Sequence, residues 1–363
     1  MIFITSYPYI SPKHIRVFDF FEKKDDLVFI LPEVWKMKDG KVVIKPIDKP
    51  GLRIISTPAY FFHSRYFLIR GLLKGWMPGT RRILKTAAKP GDVLYTAIEP
   101  NLLTTYFNGR TAKRLRLKHV FFTWQNVRWS KKSEFILRCV IAGSNGVICG
   151  NTKALEVLKS YLPAGYKTLV APISGVDTEH FRPHLIPHDD IVITFVGALD
   201  HRKGIDTLLA AYAIAHQQDA RLRLVIVGSG ILEHTIPAGV THLPWMANED
   251  LPDILNASDI FAYPSRPFGG WEEQFGYSAA EASSCGLPVI TTVCGSLPDI
   301  IVHNQTGYVI KPNDLETLAQ KILFLAAHPE ERSRMGQLGR QHIISNFSHQ
   351  IIAEKMEDFL RNV

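Results

Sequence analysis

Two glutamates eight positions apart, Glu273 and Glu281, lie in the segment of this chain whose residue types best suit chemistry. From Gly269 the sequence runs Gly-Gly-Trp-Glu-Glu-Gln-Phe-Gly-Tyr-Ser-Ala-Ala-Glu-Ala-Ser-Ser-Cys-Gly-Leu-Pro-Val-Ile to Ile290. Glycines and the Pro264–Pro267 loop lead in, a helix is expected to begin near Tyr277, and Gly286-Leu287-Pro288 ends it before the next strand. Glu273 then precedes the helix and Glu281 lies about one turn inside it, so both can face one ligand. The N–H groups of the first helical turn, aided by the helix dipole, form an anion site suited to a diphosphate. Ionised Glu281 only accepts hydrogen bonds and matches a pair of ribose hydroxyls, while Glu273 matches the hydroxyls of a sugar.

The elements that must position these groups repeat one unit, a β-branched run, a loop and an amphipathic helix. Ile191–Val196 is followed by a loop and by Ile205–His216, where Leu208, Leu209, Ala211, Tyr212 and Ala215 fall at helical spacing. Leu222–Val227, Asp259–Tyr263 and Pro288–Thr292 read as further strands. Such alternation implies a parallel, doubly wound sheet, with ligands at the carboxyl ends of its strands. The loops after Val196, Val227, Tyr263 and Thr292 are therefore the places to look. In the first half the strand candidates are Ile2–Thr5, Val28–Leu31, Arg53–Ser56, Val93–Thr96, His119–Thr123 and Gly146–Cys149. Met1 to Thr5 has no basic n-region and no small-residue cleavage site, so it is expected to be a strand and not a signal peptide. Leu169 to Pro187, punctuated by Pro172, Pro183 and Pro187, reads as a connector, and Gln350–Arg361 reads as a last helix. No solenoid repeat or low-complexity tract is evident.

A chain of 363 residues with 46% apolar and 21% charged residues fits two folded domains. No apolar run reaches the roughly 20 residues of a spanning helix. The four cysteines form no C-x-x-C pair and none has the His spacing of a zinc site, so no metal is expected and a reduced cytoplasm suits them. Charge is divided unequally. Residues 1–180 hold 29 Lys and Arg against 13 Asp and Glu, a balance of +16, and residues 181–363 hold 13 against 21, a balance of −8. Between Lys49 and Lys132 the only acids are Asp92 and Glu99, against 17 basic residues, so one face of the first half should attract anionic surfaces.

The E-x₇-E spacing of Glu273 and Glu281, followed by Cys285-Gly286-Leu287-Pro288-Val289-Ile290, resembles the signature of the family-4 retaining glycosyltransferases, which have the GT-B fold. Other pieces stand in the same order: Ser174-Gly175-Val176-Asp177 to Pro183, Phe195-Val196-Gly197-Ala198-Leu199 with Lys203-Gly204, Val227-Gly228-Ser229-Gly230, Ala257-Ser258-Asp259, Tyr263-Pro264-Ser265 and Gly307-Tyr308-Val309. The resemblance is close over residues 168–350 and holds in outline over 1–167. It implies an α/β chain of two facing Rossmann-like domains with a cleft between them. Residues 1–172 would bind the acceptor, 173–187 would link, 188–349 would bind a nucleotide-diphosphate sugar, and the helix at 350–363 would return to the first domain.

The resemblance also implies roles. Glu273 would contact the donor sugar, Glu281 the ribose, and Lys203 the diphosphate, where it would neutralise charge growing on the leaving group. Arg202 would join it, because the family's usual Arg beside the glycine after the Phe-Val strand is Ala198 here. Backbone groups of Phe275, Gly276 and Tyr277 would assist, and Gly197, Ser229, Gly230, Trp245 and Met246 would line the nucleotide pocket. The family's Gly-Gly loop near the first strand is replaced by Ser6-Tyr7-Pro8-Tyr9-Ile10-Ser11-Pro12, which makes Tyr7 an acceptor-side candidate. Trp124-Gln125-Asn126 stands where a His is often found. Gln125 and Asn126 can bind acceptor hydroxyls but cannot act as general bases near neutral pH. The implied activity is retaining, metal-independent hexosyl transfer to a saccharide or lipid-linked acceptor, in cell-surface polysaccharide or glycolipid synthesis. It needs no cofactor beyond the donor. A nucleoside-diphosphate-sugar epimerase of the same fold and a non-catalytic nucleotide-sugar-binding subunit are the alternatives.

Blander readings stand beside these. Glu281 alone would pass for a solvated helix carboxylate, and Glu273 for a first-turn acid. Gly228-Ser229-Gly230 starts like a dinucleotide fingerprint, but Glu233 stands where the third glycine is needed. Asp25-Asp26 and Asp189-Asp190 suit turns. His180, His201 and His242 read as connector, loop and strand residues, with His201 near Lys203. The segment His63 to Lys89 interleaves apolar and basic residues up to Met77 and, after a Pro78-Gly79 break, continues with Arg81, Arg82, Lys85 and Lys89. It fits a helix on an anionic membrane surface, which would place the protein peripherally on the inner face, or a core helix with a solvated basic face. The cluster Arg110, Lys113, Arg114, Arg116 and Lys118 favours the membrane. Nucleic acid is disfavoured because no recognition module accompanies the charge.

Overall fold

The computed structural model describes the chain except residues 37–42, 47–48, 63–68 and 185. It divides into two compact units, one of Met1–Gly175 with His349–Val363, the other of Val176–Ser348. Residues 173–175 of the expected connector thus belong to the first unit and 176–187 to the second.

Strands of the first unit are β1 (Ile2–Thr5), β2 (Leu27–Pro32), β3 (Trp35–Lys36), β4 (Val43–Ile44), β5 (Arg53–Thr57), β6 (Val93–Thr96), β7 (Lys118–Thr123), β8 (Gly146–Cys149) and β9 (Lys167–Val170). Seven of them form a parallel sheet in the order β5-β2-β1-β6-β7-β8-β9, and β3 pairs antiparallel with β4. β1 and β2 are buried at every position, as expected of parallel strands covered on both faces. The connector expected from Leu169 begins instead as edge strand β9. Its positions are mostly exposed, so no alternation marks it in the sequence. The helix His349–Asn362 places Ile352, Ala353, Met356 and Leu360 in the same core cluster as Ile2, Ile4, Phe18 and Phe29.

The basic segment from His63 to Lys89 is broken at Pro78-Gly79, as its sequence suggests, and again before it. Residues 63–68 lie outside the described residues. Ile69–Leu72 and Gly79–Ala87 are separate helices, divided at Gly75, which takes a left-handed φ of +67°, and at Pro78. Leu84, Ile83 and Ala87 of the second helix pack into a core cluster with Phe3, Val28 and Leu94. Its apolar face is therefore used internally, and Arg81, Arg82 and Lys85 are left on the exposed side.

The second unit holds β10 (Ile191–Val196), β11 (Leu222–Val227), β12 (Thr241–Leu243), β13 (Ile260–Tyr263), β14 (Val289–Thr292) and β15 (Gly307–Ile310), parallel throughout and ordered β12-β11-β10-β13-β14-β15. Both sheets therefore run outward in two directions from their first strand, and the reversal lies between β1 and β6 and between β10 and β13. Ligands of doubly wound sheets sit at that reversal, beyond the carboxyl ends. No described helix is long and apolar enough to cross a membrane.

Candidate functional site

After β10 the chain passes Gly197 and Ala198 and makes one 3₁₀ turn, His201–Lys203, capped by Asp200, whose carboxylate accepts the Arg202 N–H at 2.9 Å. Gly204 follows at φ +68°, and a side chain there would collide with the Pro264 carbonyl. This turn delivers Lys203 to the reversal point of the sheet. Lys203 Nζ donates to Glu273 Oε2 at 2.6 Å and to Tyr263 Oη at 2.5 Å, and stands 4.9 Å from the ring centre of Trp271. Tyr263 ends β13, and Ser265 just beyond it donates to Glu273 Oε2 at 3.2 Å. The Thr292 hydroxyl at the end of β14 donates to the Ser265 carbonyl. Glu273 is thus held from the ends of three neighbouring strands.

Lys203 and Glu273 are both largely buried, with side chains 14% and 8% exposed. Burial opposes the charge on Lys203, but Tyr263 and Glu273 outweigh it and hold the ammonium above the ordinary lysine range. The group is therefore a fixed cation at any physiological pH. Burial also pushes the Tyr263 phenol up, with the Glu273 charge adding to the effect, so the phenol stays protonated.

Arg202 is committed elsewhere. Its guanidinium is paired with Asp200 at 2.6 Å, and its Cζ lies 5.0 Å from the same Trp271 ring that faces Lys203. The Asp200 hydrogen bonds raise its pKa further. A second brace comes from Arg266, whose backbone N–H donates to the Arg202 carbonyl at 2.8 Å, while its side chain donates to the His201 carbonyl and to Asp206, both at 2.6 Å. His201 pairs with Asp206 at 3.1 Å, so it serves this brace.

The helix Tyr277–Ser284 begins at Gly276, which takes φ +82° and provides no side-chain cap. Phe275 is buried and packs on Tyr277 at 4.6 Å between ring centres. Glu281, also buried, accepts from Asn248 Nδ2 at 3.1 Å. Burial and the Glu281 charge push the neighbouring Cys285 thiol up to about 12, which leaves it inert. The loops after β10 and β11 are laced together, Gly197 N–H to the Val227 carbonyl at 3.0 Å and Leu199 N–H to the Ser229 carbonyl at 3.1 Å. Exposed Ser229 accepts the Trp245 N–H at 3.4 Å, and the Trp245 side chain stands out into solvent at 75% exposure. Gly230 is exposed beside Ser229, and Met246 is half-buried.

In the first unit Tyr7 stacks on Trp35 with ring centres 4.3 Å apart, and Lys74 Nζ lies 4.7 Å from the Tyr7 ring. The Gln125 N–H donates to Thr123 Oγ1 at 3.1 Å, and Asn126 is buried. Their turn is fixed by Glu99, whose two oxygens accept from the Trp124 N–H at 2.7 Å and the Thr123 hydroxyl at 2.8 Å. Among the described residues no cluster of three His, Cys, Asp or Glu side chains is placed to hold a metal ion.

Sequence reasoning passed over Tyr263, Ser265, Trp271 and Asn248 as site residues, although the loop after Tyr263 was marked by its place at a strand end. Glu99 carried no signal beyond being one of two acids in a basic stretch.

Residues 176–342 match the family model described as glycosyl transferases group 1. This segment is a group 1 glycosyl transferase domain. The group 1 domain falls within the second unit, from its first residue to near its end. Among curated relatives, a GDP-mannose-dependent monoacylated alpha-(1-6)-phosphatidylinositol monomannoside mannosyltransferase of Corynebacterium glutamicum is 33% identical over 52% of this chain and 55% of its own length. The corresponding alpha-(1-6)-phosphatidylinositol monomannoside mannosyltransferase of Mycobacterium tuberculosis is 28% identical over 58% of this chain and 62% of its own. The chain thus spans little more than half the length of these relatives. Whole-chain likeness extends to the sucrose-phosphate synthase of Thermosynechococcus elongatus, with TM-score 0.73, 20% identity and coverage of 99% and 98%. Anabaena HepE in complex with UDP gives TM-score 0.75 at 15% identity, covering 100% and 99%. These likenesses show the fold, GT-B, with the group 1 domain as its second half.

Proposed function

We propose that this chain transfers a hexose from a nucleotide-diphosphate sugar to a saccharide or lipid-linked acceptor, with retention at the anomeric carbon and without a metal ion. The observation that carries the reading is the buried Lys203–Glu273 pair, 2.6 Å apart at the reversal of the second sheet. In the transfer, the bond from the sugar C1 to the diphosphate oxygen breaks, the acceptor oxygen bonds to C1, and the acceptor proton passes to an oxygen of the departing nucleoside diphosphate. Negative charge grows on the departing diphosphate, and an ammonium already fixed in a dry setting stabilises it without reorganisation. Glu273 then exchanges part of its bond with Lys203 for the hydroxyls of the carried sugar. Glu281 receives the ribose hydroxyls, and the start of helix Tyr277–Ser284 meets phosphate oxygens.

The named mannosyltransferases among the relatives support a glycolipid acceptor, and the UDP held by HepE supports a nucleoside diphosphate donor. The +16 balance of residues 1–180 supports work at an anionic membrane surface on the cytoplasmic face, without insertion.

The test is to offer UDP-, GDP- and ADP-sugars with saccharides and a lipid extract, in the presence of a chelator, and to follow transfer and product anomer by NMR. Transfer with the donor's anomeric configuration is expected. The absence of thermal stabilisation by every nucleoside diphosphate, together with no transfer, would sink the reading.

A further inference from the structure

The first unit carries a cavity of about 460 Å³ lined by none of the site residues named above. It lies between the turn at Trp76, the start of helix Gly79–Ala87 and one face of helix Leu103–Arg114. Phe107, Arg110 and Arg114 recur at i, i+3 and i+7, which puts them on that one face. Arg81 from the other helix joins them, so three guanidinium groups line one space and no carboxylate does. Among the described residues none of the three has an acidic partner, Arg110 donating only to the Tyr106 hydroxyl at 3.1 Å. The two acids of this stretch are engaged elsewhere, Asp92 by the Met1 amino group and Glu99 by Thr123 and Trp124. Like charges gathered without a counter-charge repel one another, and an anion between them removes that repulsion.

A second, independent observation marks the same spot. Thr80, only 3% exposed, lines the cavity, and its hydroxyl has no hydrogen-bond partner among the described residues. Buried hydroxyls are almost always satisfied, and this one leaves a hydrogen bond unmet in the cavity wall. The nine-residue helix that follows starts without a side-chain cap, and its first N–H groups add to the attraction for an anion. Three arginines, a hydroxyl and a helix start together match the oxygens of a phosphate ester. The apolar side of the cavity indicates what that phosphate is attached to. Trp76 and Phe107 meet edge to face at 5.3 Å, and Phe107 remains 38% exposed, an aromatic lip suited to the boundary between headgroups and acyl chains.

We propose that this cavity holds the phosphate of an anionic membrane lipid headgroup. The proposal rests on the membrane part of the functional reading and is independent of the transfer chemistry. It replaces a diffuse attraction by a discrete site.

The full chain is tested against phosphatidylcholine vesicles with and without phosphatidylglycerol. The double variant Arg81→Gln/Arg114→Gln is compared with Arg82→Gln/Lys85→Gln, which removes the same charge from the same surface outside the cavity. Both should weaken binding to the anionic vesicles, the cavity pair by about fivefold more than its neighbour. Thr80→Val should weaken it about threefold with no fall in melting temperature, because it removes only an unsatisfied hydroxyl. Inorganic phosphate should displace the protein more effectively than chloride at equal ionic strength. Equal losses in the two double variants would overturn the discrete site while leaving membrane attraction intact. Binding of glycerol 3-phosphate without any binding to anionic vesicles would overturn the lipid assignment. Neither result bears on whether sugar is transferred, which the transfer assay reads separately.

Discussion

At the carboxyl edge of the first sheet Glu99 accepts from a backbone N–H and a threonine hydroxyl, whereas at the same edge of the second sheet Glu273 accepts from an ammonium and a serine hydroxyl. The two sheets share one strand order, and both acids stand near its reversal. Glu99, bonded to the Trp124 backbone and the Thr123 hydroxyl, holds a turn. A carboxylate bonded to a side-chain ammonium and a hydroxyl can trade part of those bonds for substrate hydroxyls. Equal topology thus carries differently partnered acids at its two edges, and under the proposed function only the second of them meets the carried sugar.

The comparison can be broken most sharply at Lys203. Lys203→Ala should lower turnover by about 10²–10³-fold, measured with the preferred donor, while Glu99→Gln should leave nucleoside diphosphate affinity within about twofold. A Glu99 variant as inactive as the lysine variant would erase the distinction between the two edges. Next comes stability. Glu273→Ala leaves a buried ammonium without its acid and should cost about 3 kcal/mol, read from denaturant unfolding, and a loss below about 0.5 kcal/mol would show the pair to be solvated. Arg202→Gln should reduce turnover by less than about tenfold, because the guanidinium is half-exposed and already held by Asp200. The smallest effect concerns pH. Burial holds the Glu99 carboxyl above the ordinary glutamate range. The folded state therefore binds the proton more tightly than the unfolded state, so stability declines as pH rises from the ordinary glutamate value through the raised one. Glu99→Gln should flatten that part of the stability profile, and an unchanged slope would assign it to other groups.

Much of this architecture was legible because parallel strands buried on both faces read as continuous apolar runs. Ile2–Thr5, Val93–Thr96, Gly146–Cys149 and Leu222–Val227 have the bounds the sequence suggests. Lys167–Val170 was hidden by its exposure at a sheet edge, and Thr241–Leu243 is short enough that only its His242 reads as a strand residue. In the site, Lys203 and Glu273 could be named from ordered motifs, and their hydrogen bond joins residues 70 positions apart. Trp271 and Ser265 escaped because nothing local says that a ring will face two cations or that a hydroxyl will reach an acid. The basic stretch shows the reverse case. Its charge was plain, but only packing reveals that Ile83, Leu84 and Ala87 are spent on the core.

The last helix closes the first core. Ile352, Met356 and Leu360 sit among residues from the first thirty of the chain, and Arg361 reaches Asp26 at 2.7 Å. During synthesis the ribosome therefore makes every residue of the second unit before it makes those that seal the first. The first core thus cannot be completed until the final residues have been made, however early its strands emerge.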